Sequence, residues 1–562
     1  MIKPATGSSL NPIPLTRSRA DQIFPTLTAA QMERIAAYGT TRAVSSGEIL
    51  TEQGEADIPF FVVISGELEA VRPACAIETL ITIVHAGQFT GEVNTLSGRR
   101  AMSRLRARAD GQVIQLPRGH LLTLVQNDEE LSQIIMRAFL LRRAELQAQG
   151  LGDVTLVGSS HSADTLRIKE FLSHNGHPYT YIDLERDAEV QNLLDHFHIS
   201  PADTPVVICR GETPLHNPTN EKLATCLGFN PTLDENQIRD VTIIGAGPSG
   251  LAAAVYGASE GLDVLLLETY SPGGQAGSSS MIENYLGFPA GVSGSELAAR
   301  AYTQAQKFGA QMALAKATGL KCERKPYVVE LQDGSHIPAQ TIVIATGARY
   351  SKLPLDNLAL YEGSGIYYGA TFVEAQLCKG EDVIVVGGGN SAGQAAVFLA
   401  ETTNHVYIVV RSGSLADTMS RYLVRRIEQN PKITLVPHTE VAALAGETGL
   451  ERVTWRNNQT GATETKNILH LFVMTGAVPN TDWLDHCVVL DDKGFVKTGP
   501  DLSSQELAAA KWPLTRRPYL LETSLPGVFA AGDVRCGNVK RVASAVGEGS
   551  IAISFVHQVL RE

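Results

Sequence analysis

Paired cysteines are missing from this sequence. The seven it has, at positions 75, 209, 226, 322, 378, 487 and 536, never fall in a CxxC or in any metal-ligand spacing. No metal site is therefore expected, and an odd, sparse count fits a reducing cytosol better than a secreted disulfide scaffold. Positive charge is short as well: the formal net charge of −12 argues against nucleic acid or an anionic membrane as partner. Long apolar runs are scarce. The opening stretch MIKPATGSSLNPIPLTRSRADQIF has no apolar h-region and reads as a flexible arm rather than a signal peptide. The one long uncharged run, Val241 to Ser259, carries its glycines at strand-to-helix turn spacing, which sets it apart from a membrane span. Low-complexity tracts are absent, and the expected location is the cytoplasm.

What is present suffices for several cores: 562 residues at 44% apolar content make room for three or four domains. From Phe24 to Leu146 a short helical pattern, many short alternating strands and a longer helical pattern suggest a small β-roll between helices. From Gly152 to Asn230 strands and helices alternate, the logic of a small α/β domain, and Asn230–Asp240 has the Pro, Asn and Asp of a linker. From Val241 onward the texture is that of a large α/β protein with two dinucleotide-binding units.

The first unit, VTIIGAGPSGLAAAVYGASEGLDVLLLE, is the strongest motif. A buried strand leads into Gly245, Gly247, Pro248, Ser249 and Gly250, and a small-residue helix follows. The first glycine makes the tight turn, the second lets backbone approach a pyrophosphate, and the third lets helix and strand pack closely. Glu268 ends the next strand, where a carboxylate can accept from an adenosine ribose. The second unit, DVIVVGGGNSAGQAAVFLAETTNHVYIVVRSG, offers Gly387, Gly389, Asn390, Ser391 and Ala392. Its second strand ends in Arg411 and Ser412 instead of an acid, which favours NADPH over NADH because Arg can pair with a 2′-phosphate.

With the strands TIVIATGARY and LFVMTGAVPNTDWL and the stretch LPGVFAAGDVRCGNVKRVASAVGEGSIAI, these motifs make residues 238–562 resemble the low-molecular-weight thioredoxin reductases over essentially their whole length. The resemblance implies FAD in the first unit and NADPH (or NADH) in the second, which is inserted into the FAD domain. It places Gly274, Gln275, Asn284, Thr346 and Gly347 on FAD with Glu268. Gly532 and Asp533 would hold the ribityl chain, and Lys540, Arg541 and Val542 would lie near the isoalloxazine. Hydride transfer from nicotinamide to flavin asks the protein for geometry and electrostatics and not for a side-chain nucleophile, so no catalytic side chain is assigned.

The family pattern breaks at its dithiol. The two cysteine positions before the NADPH-binding strand fall on Gly369 and Phe372 in YYGATF, and the next thiol is Cys378. Residues 153–230 resemble a glutaredoxin or thioredoxin fold, with Pro205 at the place of the cis-proline, but Ser162 and Thr165 occupy its CxxC places, and hydroxyls cannot exchange disulfides. The first region resembles a cyclic nucleotide-binding domain: Gly91 and Glu92 match the pair that receives the ribose, and Arg100, with Arg99 beside it, is the candidate for the cyclic phosphate of cyclic AMP or cyclic GMP. Ligand binding and a degenerate structural role both stay open there.

The expected fold class is thus multidomain: an N-terminal β-roll with flanking helices, a small thioredoxin-like α/β domain, then two Rossmann-like dinucleotide-binding domains. The boundaries are an arm at 1–20, a cyclic nucleotide-binding-like domain at 21–148, the thioredoxin-like domain at 149–232, the FAD domain at 233–354 and 476–562, and the NADPH domain at 355–475. The leading reading is an NAD(P)H-dependent FAD oxidoreductase, a homodimer, passing electrons directly to a small-molecule or redox-protein acceptor. The alternatives are a thioredoxin reductase using an external or unrecognised thiol, and a non-catalytic flavin- and nucleotide-binding sensor.

Overall fold

Four consecutive buried positions, Val264–Leu267, and the equally buried Val241, Thr242, Ile243 and Ile244 beside them mark a sheet covered on both faces. In the computed structural model these strands, Arg239–Ile244 and Val264–Glu268, pair in parallel, and His336–Ile344 pairs in parallel on the other side. Val528–Ala530 returns from far along the chain to extend the parallel set, while Tyr327–Leu331 and Ala317–Lys321 add an antiparallel flank. The structure describes residues 20–74, 77–150, 152–160, 162–185, 200, 203–209, 213–229, 233–279, 281–370, 372–416, 418–447, 449–484 and 486–562. The arm expected at 1–20 lies outside them but for its last residue, as do residues 187–197 of the small α/β domain.

Two glycine-bearing helices pack against one another on this sheet. A Cβ at Gly549, in the C-terminal helix Val542–Arg561, would sit 2.1 Å from the Ser249 carbonyl oxygen in the helix Pro248–Ser259, so the helices approach to backbone contact. The second nucleotide unit is an all-parallel sheet of five strands in the order Ile366–Tyr367, His470–Val473, Asp382–Val386, His405–Val409 and Ile433–Val436. A short antiparallel pair, Ala348–Tyr350 with Ala477–Pro479, carries the chain out of the first nucleotide domain and back into it.

The N-terminal region forms two antiparallel sheets. Thr40–Val44, Gly111–Leu116 and Phe60–Ser65 make one; Ile49–Thr51, Arg104–Ala107, Leu68–Ala74 and Ile77–Val84 make the other. Phe60, Phe89 and Phe139, with ring centroids 5.5 to 6.3 Å apart, join the roll to the long helix Glu129–Ala148. After it comes a four-stranded sheet in the order Thr213–His216, Val206–Cys209, Val154–Gly158, Thr180–Asp183, with only the last pair parallel. The Thr204–Pro205 peptide is cis.

The chain divides into two units. One comprises residues up to Ser160, Gly176–Leu233 and Gln306–Leu314; the other comprises His161–Asn175, Asp234–Ala305 and Ala315–Glu562. The helix Ala163–His174 thus belongs with the nucleotide domains: Leu166 is part of the same buried cluster as Tyr367, Cys378, Val383 and Phe472. Two cysteine pairs that their spacing did not reveal are disulfide-bonded, Cys209 with Cys226 and Cys322 with Cys487, at separations of 17 and 165 residues. The sparse count was read against disulfides; the fold brings these four together where sequence distance had no bearing.

Candidate dinucleotide sites and dithiol positions

The two glycine loops are built alike. Gly245 has φ +104° and a Cβ there would lie 2.3 Å from the Ala345 carbonyl oxygen; Gly387 has φ +139° and a Cβ would lie 2.3 Å from that of Met474. Both positions therefore exclude any other residue on backbone grounds. Gly250 is fixed by close packing, its would-be Cβ 1.8 Å from the Gly245 oxygen, and the fully buried Ala392 takes the matching place in the second loop.

The middle glycines differ in kind. Gly247 caps its helix at φ −70°, and nothing but the Gly274 Cα comes within 4.0 Å of a Cβ there. Gly389 caps Asn390–Leu399 at φ −89° with open space around the same point. The protein's own packing requires glycine at neither. Both open onto a helix N-terminus without a side-chain cap, which fits a pyrophosphate drawn up to backbone N–H groups. The residues present thus fit FAD in the first unit and NADPH in the second.

Glu268 stabilises the first loop from below: its carboxylate accepts the Ala246 N–H at 2.6 Å and those of Thr269 and Tyr270 at 2.9 and 3.0 Å. Burial pushes its pKa up, against those same hydrogen bonds. Gly273 donates to the Ala246 carbonyl at 2.7 Å, which lays Gly274 over Gly247, and the Gln275 amide donates to the Ala348 carbonyl. Thr346, Gly347 and Asn480 form a clasp at the end of the strand His336–Ile344.

Gly532, at φ +77°, brings Asp533 beside the first helix; a Cβ on Gly532 would sit 2.6 Å from the Ser249 Oγ. Burial raises the pKa of Asp533 and nearby Lys540 opposes that shift. Val542 opens the C-terminal helix, with Lys540 and the capping Arg541 exposed before it. Asn284 is exposed too. In the second unit Asn390 accepts the Ser420 N–H at 2.8 Å, Ser391 and Arg411 are exposed, and the Ser412 hydroxyl donates to the Ser414 carbonyl at 2.9 Å.

Two positioning residues went unread in the sequence. Glu548 accepts the Gly532 N–H at 2.7 Å and pairs with Arg535 at 2.6 Å; a carboxylate inside an otherwise small-residue helix was the available signal. The Thr418 hydroxyl donates to the Gly388 carbonyl at 2.7 Å and steadies the second loop, a link that no spacing encodes.

At the first family cysteine position, a Cβ on Gly369 would lie 3.6 Å from the Ser278 Oγ, four residues beyond Gly274. Phe372 begins the helix Phe372–Leu377, and its side chain lies outside the described residues. Cys378 is fully buried, and burial together with Glu374 and Glu381 pushes its thiol far up. Cys536 is half-buried, its pKa raised by burial and by Asp491. Neither thiol is poised to form the thiolate that exchange requires. Ser162 instead caps the helix Ala163–His174, and Thr165 is buried inside its first turn. Further along that helix, Glu170 hydrogen-bonds Glu374, and burial, then this neighbour, pushes its pKa up to about 9.

In the N-terminal roll a cavity of about 150 Å³ opens between the sheets and the helix Glu129–Ala148. Gly91 and Glu92 line it; Arg100 does not, and its guanidinium donates to the Gly54 carbonyl at 3.1 Å. Arg99 is buried with its guanidinium 4.0 Å from the Phe229 ring centroid.

Residues 239–549 match the pyridine nucleotide-disulphide oxidoreductase family and residues 41–128 the cyclic nucleotide-binding domain family. The thioredoxin reductase of Bacillus subtilis (strain 168) is 30% identical over 331 residues, 59% of this chain and 97% of that protein. That of Streptomyces clavuligerus is 32% identical over 318 residues, 56% of this chain and 92% of that protein. Among solved structures, the thioredoxin reductase of Lactococcus lactis in its FR conformation superposes with a TM-score of 0.52 at 26% identity, covering 58% of this chain and all (100%) of that one. That of T. acidophilum gives 0.52 at 28% identity with the same coverage, 58% and 100%.

Proposed function

This chain belongs to the pyridine nucleotide-disulphide oxidoreductases, and from that premise we propose that it is an NAD(P)H-dependent FAD oxidoreductase without a dithiol relay, whose acceptor meets the flavin directly. The observation that carries the reading is the contrast between intact cofactor loops and absent thiols: both middle glycines stand open, while Gly369 replaces the first cysteine and Cys378 is sealed in a core.

FAD, when bound, supplies the two-electron acceptor, and the chain's residues supply position and field. Glu268 holds the Ala246 amide and so the shape of the phosphate loop. Asp533 and the neighbouring Lys540 set the charge at the far end of the site. Arg411, exposed after the second strand, suits a 2′-phosphate and favours NADPH. The disulfide Cys322–Cys487 follows the flanking strand Ala317–Lys321, three strands across the sheet from the one that leads into Gly245, which is why it takes no part in this reading. The small domain between roll and FAD domain is read as a thioredoxin-like docking or structural module; its strand order supports that. The assembly is proposed as a homodimer. Among the described residues no helix is long and apolar enough to cross a membrane.

Anaerobic titration tests the proposal. NADPH is expected to bleach the flavin absorbance, and the reduced protein to be reoxidised by a quinone or another small acceptor with Cys378→Ser and Cys536→Ser both in place. Absence of bleaching would point to a sensor, and turnover of thioredoxin that needs any of the chain's cysteines would restore a dithiol relay.

A further inference from the structure

The cavity in the N-terminal roll differs from an anion site in its charge, its largely apolar wall and a buried hydroxyl that no described residue answers. Among the described residues its side chains include a single cation, Arg142, against two carboxylates, Glu92 and Glu145. Arg142 already donates to the carbonyls of Ile23, Gly91 and Phe89 at 2.9, 2.7 and 3.0 Å, and its guanidinium lies against the rings of Phe24 and Phe89. Glu92 is paired with Arg143 at 2.6 Å and caps its own short helix through the Asn94 N–H at 3.0 Å. Arg100 faces away, held at Gly54 and packed against Gly228, where a Cβ would lie 2.6 Å from the Arg100 Cγ. The position that faces the cavity next to it is Ala101.

Apolar side chains make up most of the remaining wall, and a volume of about 150 Å³ is enough for one aromatic ring. Thr51 also lines it. Thr51 is 2% exposed, and its hydroxyl has no hydrogen-bond partner among the described residues. A buried hydroxyl left so is costly, and a polar group of a ligand that reached it would relieve the cost.

We infer that this cavity is a binding site for an uncharged, single-ring-sized, mainly apolar molecule carrying one hydrogen-bonding group for Thr51, and not for a cyclic nucleotide. The inference concerns binding alone and stands whether or not the flavin domain has the activity proposed above.

The test uses the full-length, flavin-loaded protein with 4-fluorophenol as probe, followed by fluorine NMR, and cyclic AMP and cyclic GMP by calorimetry. Saturable 4-fluorophenol binding is expected. Thr51→Val, which keeps the volume, should weaken it about five- to tenfold. Ala70→Phe and Ala101→Phe fill the cavity from different walls and should each abolish it, while Arg100→Ala should leave it unchanged. Thermal melts identify any variant that fails to fold, and Thr51→Val, the mildest change, then decides. Cyclic nucleotide heat lost in Arg100→Ala would overturn the inference. So would probe binding that is absent, or indifferent to Thr51→Val and to both filling variants.

Discussion

Thr346 and Asn480 hold one another in both directions across 134 residues: the Thr346 hydroxyl donates to the Asn480 carbonyl at 2.8 Å, and the Asn480 side-chain amide donates to the Thr346 carbonyl at 2.9 Å. The Asn480 N–H adds a bond to the Gly347 carbonyl at 3.1 Å. The clasp ties the end of the strand that leaves the FAD domain to the strand that returns, beside the glycine loop. Asn480→Ala removes the side-chain bond and leaves the two backbone ones. A loss of about 1 kcal/mol at the loop is expected, read as roughly fivefold weaker flavin retention in a fluorescence release assay.

The glycines of the first loop should separate by cause. Gly250→Ala drives a methyl to 1.8 Å from the Gly245 oxygen and should give insoluble or flavin-free protein with a collapsed melting transition. Gly247→Ala meets nothing of the chain closer than 4.0 Å, so its apoprotein should melt like the parent while flavin binding falls. Equal damage from both would mean that the space at Gly247 serves packing and not a ligand.

Arg411→Ala should raise the KM for NADPH about tenfold and leave that for NADH nearly unchanged, since only the former has a 2′-phosphate to pair. Steady-state kinetics with the two nucleotides and a common acceptor measure the split. Parallel changes would assign Arg411 to the solvated surface.

Glu170 makes stability depend on alkaline pH. Burial and Glu374 raise its pKa from the ordinary 4.5 to about 9, so the folded state holds a proton that the unfolded chain releases between those values. Its contribution is complete below pH 4.5 and lost as pH rises through about 9. His174, whose pKa burial lowers, acts oppositely, its contribution falling away below the ordinary 6.5. Glu170→Gln keeps a donor to Glu374 at every pH, and the melting temperature should then decline less between neutral pH and about pH 9 than in the parent.

Cys378 and Cys536 should react unequally. Brief iodoacetamide treatment of the native protein is expected to alkylate the half-buried Cys536 and spare the sealed Cys378, as peptide mass spectrometry would show. Ready labelling of Cys378 would mean that the core around it opens.

The sequence alone determined the two glycine loops, the apolar strands that lead into them and the lack of any CxxC. Each is a local demand: positive φ at Gly245 and Gly387 admits only glycine, a doubly covered strand must be apolar throughout, and a CxxC is either written or not. Tertiary structure decided what depends on distance through space. It paired Cys322 with Cys487, closed Asn480 on Thr346, grouped the helix Ala163–His174 with the nucleotide domains and set Glu170 against Glu374. It also turned Arg100 toward Gly54 and left Ala101 facing the cavity, since the direction of a side chain on a loop follows from the neighbours that the fold supplies, and spacing in the chain carries no record of them.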